Sequence, residues 1–164
     1  MLTYAAANNI LKALLGEISS ITLASRCYVG LSHTDPGRDG AGLSEPEITH
    51  EGHPTGYQRQ LIGDSNYTSS PLRKMYMPGQ TEEGTKWDGK TENRDIIYFP
   101  EVLDTGEEHP WGTVKYFCIF SAETGNNLLA YSRIVDDEGE PQDLTPEVGQ
   151  LPIIRKHQLK IELE

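Results

Sequence analysis

The chain has few basic residues relative to its acidic ones. It contains 14 Lys and Arg residues against 25 Asp and Glu residues, so its formal net charge at pH 7 is −11. Nucleic-acid affinity depends on neutralising phosphates with basic side chains, so this balance argues against a nucleic-acid-binding protein. Adsorption to anionic lipid is disfavoured for the same reason. The simplest interpretation of the acidity is a well-solvated surface.

Long apolar runs are also missing from the sequence. No stretch reaches about 18 apolar residues, so we expect no transmembrane helix and no membrane insertion. The N-terminus lacks the basic segment that opens a secretory signal peptide. We therefore expect a protein that is made in a cytoplasm and stays soluble.

Cysteine is scarce, with Cys27 and Cys118 as the two examples. Two cysteines are too few for a disulfide scaffold. Each lies in an apolar segment with the pattern of a β-strand, where a free thiol packs as a small hydrophobic group. We expect two buried thiols, and a disulfide is the alternative if the two strands are neighbours.

Glycine and proline, by contrast, are frequent, with 16 and 10 residues among 164. Many turns favour an all-β fold, and the length suits a single domain over residues 1–164. A helix is predicted over residues 2–15, with Thr3 as its N-cap and Gly16 as its C-terminal stop. Its apolar residues recur at three- and four-residue spacing: Ala7, Ile10, Leu11, Leu14 and Leu15. We expect this helix to pack on its own domain, with docking on a partner as the alternative.

The remainder of the chain is predicted to form short strands within residues 21–164. The strongest strand signal covers residues 111–122. Its core, 114–120, is apolar on both faces from Tyr116 onward, which indicates a central strand between two layers. Other strand candidates are 24–32, 57–62, 72–77, 95–100, 128–135 and the alternating segment 156–163. Long loops are expected at about 33–54, 63–94 and 136–150. The predicted fold class is an all-β antiparallel sandwich with one N-terminal helix.

Two clusters of side chains have some features of metal sites. His50 and His53 are three residues apart, but the neighbouring Gly52 and Pro54 argue against the helix that would present both to one ion. Asp35, Asp39 and Glu45 lie in a glycine-rich loop and could offer oxygens to calcium, although their spacing differs from that of an EF-hand. We interpret both clusters as solvated loops and predict no metal-binding residues.

Catalytic signatures are absent from the sequence. No serine lies in a Gly-x-Ser-x-Gly elbow, and no glycine-rich phosphate loop is present. Glu107, Glu108 and His109 precede Trp111, but paired carboxylates are common in so acidic a chain. We predict no catalytic residues, no cofactor and no enzymatic activity.

Four aromatic residues lie in or beside predicted loops: Tyr67, Tyr76, Trp87 and Trp111. Exposed aromatic rings stack on sugars or anchor protein interfaces. Trp111 is predicted to be a core residue because it opens the central strand region. Trp87 lies in a polar, glycine-rich loop and is the better candidate for exposure.

Several motifs in order resemble a family of small bacteriophage virion proteins that are usually labelled tail fibre proteins. The blocks are Cys27–Pro46 (CYVGLSHTDPGRDGAGLSEP), Gly56–Arg59 (GYQR), Ile96–Pro100 (IIYFP), Trp111–Phe120 (WGTVKYFCIF), Ser121–Ala130 (SAETGNNLLA) and Leu159–Leu163 (LKIEL). The resemblance implies a structural component of a tail fibre or baseplate, located in the virion and made in the host cytoplasm. It implies association with other virion proteins and carries no catalytic residues. Fibre architecture in general suggests a homo-oligomer, with a trimer as the leading expectation.

Two other functions stay open. One is a carbohydrate-binding module that contacts host cell-surface glycans through Trp87 and nearby tyrosines. The other is a capsid decoration or head-fibre protein. A glycan array tests the first, and electron microscopy of the intact particle tests the second.

Overall fold

Short antiparallel strands and one helix make up the described parts of the chain. The computed structural model describes residues 1–15, 26–64, 75–76, 90–93 and 95–162. The elements are α1 (Tyr4–Leu14), β1 (Arg26–Ser32), β2 (Thr49–His50), β3 (His53–Pro54), β4 (Gln60–Asp64), β5 (Met75–Tyr76), β6 (Lys90–Asn93), β7 (Ile97–Tyr98), β8 (Tyr116–Phe120), β9 (Leu128–Arg133), β10 (Ile153–Ile154) and β11 (Lys160–Glu162).

A four-stranded antiparallel sheet in the order β4–β1–β8–β9 forms the centre of the fold. Strand β1 pairs with β8 from Tyr28↔Phe120 to Ser32↔Tyr116. Alternation along the strands divides the buried side chains between two clusters. Val29 of β1 and Ile119 of β8 belong to one cluster, and Cys118 and Phe120 of β8 belong to the other. The prediction of a central strand between two layers is therefore confirmed for β8.

A second layer covers one face of this sheet. The β7–β10 pair contributes Ile97 and Ile154 to the same buried cluster as Val29. Trp111 is fully buried in that cluster, as predicted. Further pairings join β5, β6 and β11 and close the β2–β3 hairpin. These antiparallel sheets and the helix near the N-terminus confirm the predicted fold class, whereas the extent of the single domain over residues 1–164 stays a prediction.

Helix α1 begins as predicted. Thr3 has extended backbone angles, and its Oγ1 accepts a hydrogen bond from the backbone N–H of Ala6 at 3.4 Å. The backbone N–H of Thr3 donates to the carbonyl of Leu129 at 2.9 Å, and Leu2 pairs with Ala130 in an antiparallel bridge. The chain therefore enters the helix from the edge of β9. The predicted stop at Gly16 lies outside the described residues.

The expectation that α1 packs its apolar face on its own domain is met only in part, since Ala7 and Ile10 are half-buried. None of its residues is buried, and Leu14 and the C-cap residue Leu15 are 76% and 74% exposed. The helix is attached to the sheet through its N-terminal end, where residues 1–3 run beside β9. Leu11, Leu14 and Leu15 therefore form the part of the apolar face that the described part of this chain leaves exposed.

Some strands are shorter than the sequence predicts. Strand β8 begins at Tyr116, and Gly112, with φ +62°, interrupts extended backbone directly after Trp111. Strand β4 begins at Gln60, since residues 55–59 form a loop. At the C-terminal end, His157 has φ +65° and lies in a turn, so the alternating pattern of 156–163 becomes a strand only from Lys160. Among the described residues, no helix has the length and apolar character to cross a membrane.

Candidate functional site

Three loop segments lie side by side around the β2–β3 hairpin. Thr55 N–H donates to Ile48 O at 3.0 Å within the first segment. Leu103 N–H donates to Thr55 O at 3.0 Å and joins the first segment to the second, and Val102 N–H donates to Gln150 O at 2.9 Å and joins the second to the third. We call this surface, formed by residues 44–58, 95–112 and 147–153, the acidic loop face. Its segments come from distant parts of the sequence and are fixed to one another by backbone contacts.

Trp111 anchors the acidic loop face to the core. Its indole Nε1–H donates to the carbonyl of Thr55 at 2.7 Å. Its ring makes edge contacts with Tyr57 and Phe99, with centroids 5.4 and 6.3 Å apart. A buried indole that has a hydrogen-bond partner combines a large apolar contact area with a fixed orientation. The loops at this face therefore rest on a rigid base.

A buried arginine connects these loops to the β8–β9 hairpin. Arg59 is 6% exposed and forms a bidentate ion pair with Glu45, with Nε 2.9 Å from Oε1 and Nη2 on Oε2. Its Nη1 donates to Ala122 O at 2.9 Å, and its Nη2 donates to Gly125 O at 2.8 Å. Because a buried charge is tolerated when it is paired and hydrogen-bonded, this network fixes one relative position of the loops and the hairpin.

Tyr57 extends the network to strand β1. Its hydroxyl donates to Glu45 Oε1 at 2.7 Å and accepts from the backbone N–H of Leu31 at 2.9 Å. Burial and the nearby Glu45 carboxylate raise the pKa of this phenol far above its ordinary value, so Tyr57 stays protonated. Gly56 precedes it with φ +85°, and a Cβ there would lie 2.1 Å from the carbonyl oxygen of Glu101. The Gly-Tyr-x-Arg motif thus has a structural explanation.

A pocket of about 400 Å³ opens between the acidic loop face and the turn after β8. Its apolar lining includes Ile48 and three prolines, Pro46, Pro54 and Pro100. At its polar side, the amide Nε2 of Gln58 donates to Glu123 Oε1 at 2.6 Å. The pocket combines aliphatic walls with an exposed carboxylate, a combination suited to an aliphatic side chain with a cationic end.

His50 and His53 face each other across the β2–β3 hairpin instead of sharing a helix. The ring of His50 lies 3.1 Å from a carboxylate oxygen of Glu47 and 3.4 Å from one of Glu107. The hydrogen bond to Glu47 is the main cause that raises the pKa of His50, and the Glu107 charge acts in the same direction. Among residues in the described ranges, no group of three His, Cys, Asp or Glu side chains is placed to hold a metal ion.

The three carboxylates considered for calcium have separate roles. Asp35 accepts from the backbone N–H of Gly37 at 2.9 Å, and Asp39 accepts from that of Ala41 at 3.1 Å. Such bonds are the ordinary way in which aspartate stabilises a turn. Glu45 is committed to Arg59 and Tyr57. The structure therefore does not bring Asp35, Asp39 and Glu45 together around one ion.

The two cysteines, His109 and the aromatic residues of the predicted loops are the remaining candidates. Cys27 is half-buried and Cys118 is buried, and both are free thiols, which confirms the expectation that they are unpaired. In the loop before Trp111, His109 lies 3.9 Å from a carboxylate oxygen of Glu108. Tyr67 and Trp87 lie outside the described residues, as does the side chain of Tyr76. Glycan binding through Trp87 therefore stays a prediction.

Sequence reasoning did not find the Glu45–Tyr57–Arg59 network. The sequence offers Glu45 as a calcium ligand, and it offers Tyr57 and Arg59 as part of a strand and of a family motif. One signal is present in the sequence: Arg59 lies in a segment predicted to be a strand, and an arginine that such a strand buries needs a partner for its charge. The identity of that partner depends on contacts between residues 14 positions apart or more.

Comparison with known proteins identifies a family to which the chain is similar. No curated protein matches the chain. Residues 1–143 match the family described as podophage GP4 fiber I protein gp80. The match covers most of the chain and confirms the resemblance to phage fibre proteins. The chain therefore belongs to the podophage GP4 fiber I protein gp80 family, and it is a structural fibre component of a bacteriophage particle.

Proposed function

We propose that this protein is a non-enzymatic subunit of a tail fibre or baseplate-type assembly and that it self-associates through α1. The family match supports a structural role in the particle. The observation that carries the proposed mode of assembly is the uncovered apolar side of the helix. Leu11, Leu14 and Leu15 are all more than half exposed, and they follow one another along one side of the helix.

The charge of this segment favours contact between copies. Residues 1–15 contain one charged side chain, Lys12, although the whole chain has a net charge of −11. Copies that meet through α1 therefore bring apolar surface together with little like-charge repulsion. Helices that present leucines at three- and four-residue spacing pack side by side readily. Fibre symmetry makes three copies the expected number.

The rest of the fold suits the presentation of loops. The paired strands and the buried Arg59 network fix the loops relative to the central sheet. A rigid scaffold that positions exposed loops allows contacts with other virion proteins or with the host surface and requires no reaction centre.

Light scattering after size-exclusion chromatography tests the proposed assembly. We expect the full chain to elute at three times its 18.3 kDa chain mass. The Leu11→Ser/Leu14→Ser variant should run as a monomer with an unchanged circular dichroism spectrum. Val135→Ser is the matched control, since Val135 is also about half exposed but lies outside the helix. A monomeric wild-type protein, or a double variant that keeps its assembly state, would contradict self-association through α1.

The position on the particle requires a separate experiment. A particle that carries a tagged copy of the protein can be labelled with gold and imaged by electron microscopy. Label at the tail supports the tail fibre or baseplate role. Label on the head would replace it with the decoration or head-fibre alternative.

A further inference from the structure

Exposed apolar side chains are concentrated on the acidic loop face. Ile48, Leu103 and Leu151 lie on its three segments and are 63%, 39% and 51% exposed. Tyr98 and Ile153 are also exposed, and they lie directly opposite each other in the β7–β10 pair. Backbone hydrogen bonds join the three segments, so these side chains belong to one fixed surface. Exposed apolar side chains grouped on one rigid surface mark interaction sites more often than scattered ones do.

The Asp, Glu, Lys and Arg side chains of this surface carry charge of one sign. Its three segments contain nine Asp and Glu residues and no Lys or Arg. Arg59 lines the adjoining pocket, but its guanidinium is buried and paired with Glu45. Two copies that met through this face would oppose carboxylates to carboxylates, which costs free energy. Binding of a second copy in that orientation is therefore disfavoured, and binding of a positively charged partner is favoured.

The adjoining pocket gives the occupant a specific chemistry. Pro46, Pro54 and Pro100 offer aliphatic walls, and the carboxylate of Glu123 lies at the same opening. The methylenes of a Lys or Arg side chain can pack on proline rings while the cationic end meets a carboxylate. The pocket's volume of about 400 Å³ is large enough for one such side chain.

We propose that the acidic loop face is a docking surface for a neighbouring protein of the particle, one that presents an apolar patch bordered by Lys and Arg and inserts one of these basic side chains into the pocket. The identity of the partner as a particle protein rests on the proposed function. The chemistry of the surface does not, because it follows from the charges and exposed side chains of this chain. This partner differs from the one proposed at α1, where copies of this chain contact each other.

Two synthetic peptides test the proposal with the full-length protein. One is a 14-residue peptide of Lys and Leu, and the other has the same pattern with Glu in place of Lys. Binding is followed in ¹H–¹⁵N NMR spectra, so that the perturbed residues are identified. We expect the Lys/Leu peptide to perturb residues 44–58, 95–112 and 147–153 and the Glu/Leu peptide to have no effect. Hexalysine should bind at least about tenfold more weakly, since it lacks the apolar contribution.

Matched variants separate this site from general attraction to an acidic protein. Glu123→Lys and Ile48→Ser should each weaken binding of the Lys/Leu peptide by about tenfold. Their controls are Glu138→Lys and Val135→Ser, since Glu138 and Val135 are also exposed but lie in or beside the acidic turn at 136–140. The controls should weaken binding by less than about twofold.

The proposal is overturned if the controls weaken binding as much as the site variants, if the perturbed residues lie outside this face, or if hexalysine binds as tightly as the Lys/Leu peptide. The peptide experiment is independent of light scattering. A protein that assembles but does not bind the peptide would contradict the docking surface and support self-association. A protein that binds the peptide but stays monomeric would support the docking surface and contradict self-association.

Discussion

The guanidinium of Arg59 lies over the ring of Phe120, with its central carbon 3.4 Å from the ring centre. Arginine is well suited to this position because its planar cation stacks on an aromatic face while its N–H groups bond in the plane. Here those groups bond to Glu45 and to the carbonyls of Ala122 and Gly125. One side chain thus links the 33–54 loop, the central sheet and the β8–β9 turn.

The first prediction concerns the ion pair between Arg59 and Glu45. Glu45→Gln leaves the buried guanidinium without its counter-charge, and we expect the free energy of unfolding to fall by about 3 kcal/mol. The measurement is urea denaturation followed by tryptophan fluorescence. Glu47→Gln is the matched control, since the Glu47 side chain is 66% exposed, and it should change stability by less than about 0.5 kcal/mol. Equal stability of the two variants would show that the pair does not stabilise the fold.

The second prediction concerns Gly30, which lies beneath the same network. A Cβ at this position would lie 2.8 Å from Tyr57 Oη and 2.9 Å from Phe120 Cε2. Gly30→Ala should therefore destabilise the protein by about 1–3 kcal/mol through overpacking. Thermal unfolding measures the effect.

A double-mutant cycle separates this clash from a general effect of alanine in strand β1. Tyr57→Phe removes the oxygen nearest to the added methyl group, although it also leaves the Leu31 N–H without an acceptor. The double variant should lose less stability than the sum of the two single variants. Strict additivity would mean that Gly30 and Tyr57 do not share a steric contact.

Local sequence patterns predict the structural features whose residues lie close together in the chain. The N-cap at Thr3, the period of α1 and the apolar run in β8 each involve residues within one or two turns or one strand. The Arg59 network could not be predicted in the same way, because its partners lie at positions 45, 120, 122 and 125. Only the folded sheet brings those residues together.

The environment of α1 shows a second limit. An amphipathic pattern indicates which face of a helix is apolar, but it does not indicate which element or subunit covers that face. The same leucines would be predicted whether the helix packed on its own sheet or on another subunit. His157 shows a similar limit at the C-terminal end. The alternating pattern predicts a strand from residue 156, but His157 has φ +65° and lies in a turn.

The third prediction concerns His50. Because its pKa is raised above 6.5, folding favours the protonated ring. Its contribution to stability is present below pH 6.5 and is lost as the pH rises through the pKa of the folded state. An NMR titration should give a pKa for His50 above 6.5. Glu47→Gln should lower that pKa more than Glu107→Gln, since the hydrogen bond to Glu47 is the largest cause of the shift. The reverse order would assign the main interaction to Glu107.

The fourth prediction concerns the two thiols. Burial raises the pKa of Cys118 to about 12 and also raises the pKa of Cys27, so both are protonated near neutral pH. Since the thiolate is the reactive form, we expect slow reaction of the folded protein with a thiol reagent at pH 8, and rapid reaction of both cysteines in urea. Cys27→Ser isolates the signal of Cys118, which is the more deeply buried of the two. Mass spectrometry with and without reductant should give the same mass for the unlabelled chain. A difference of two hydrogens, or fast labelling of Cys118 in the folded Cys27→Ser variant, would contradict the placement of Cys118 inside the cluster between the central sheet and its covering loops.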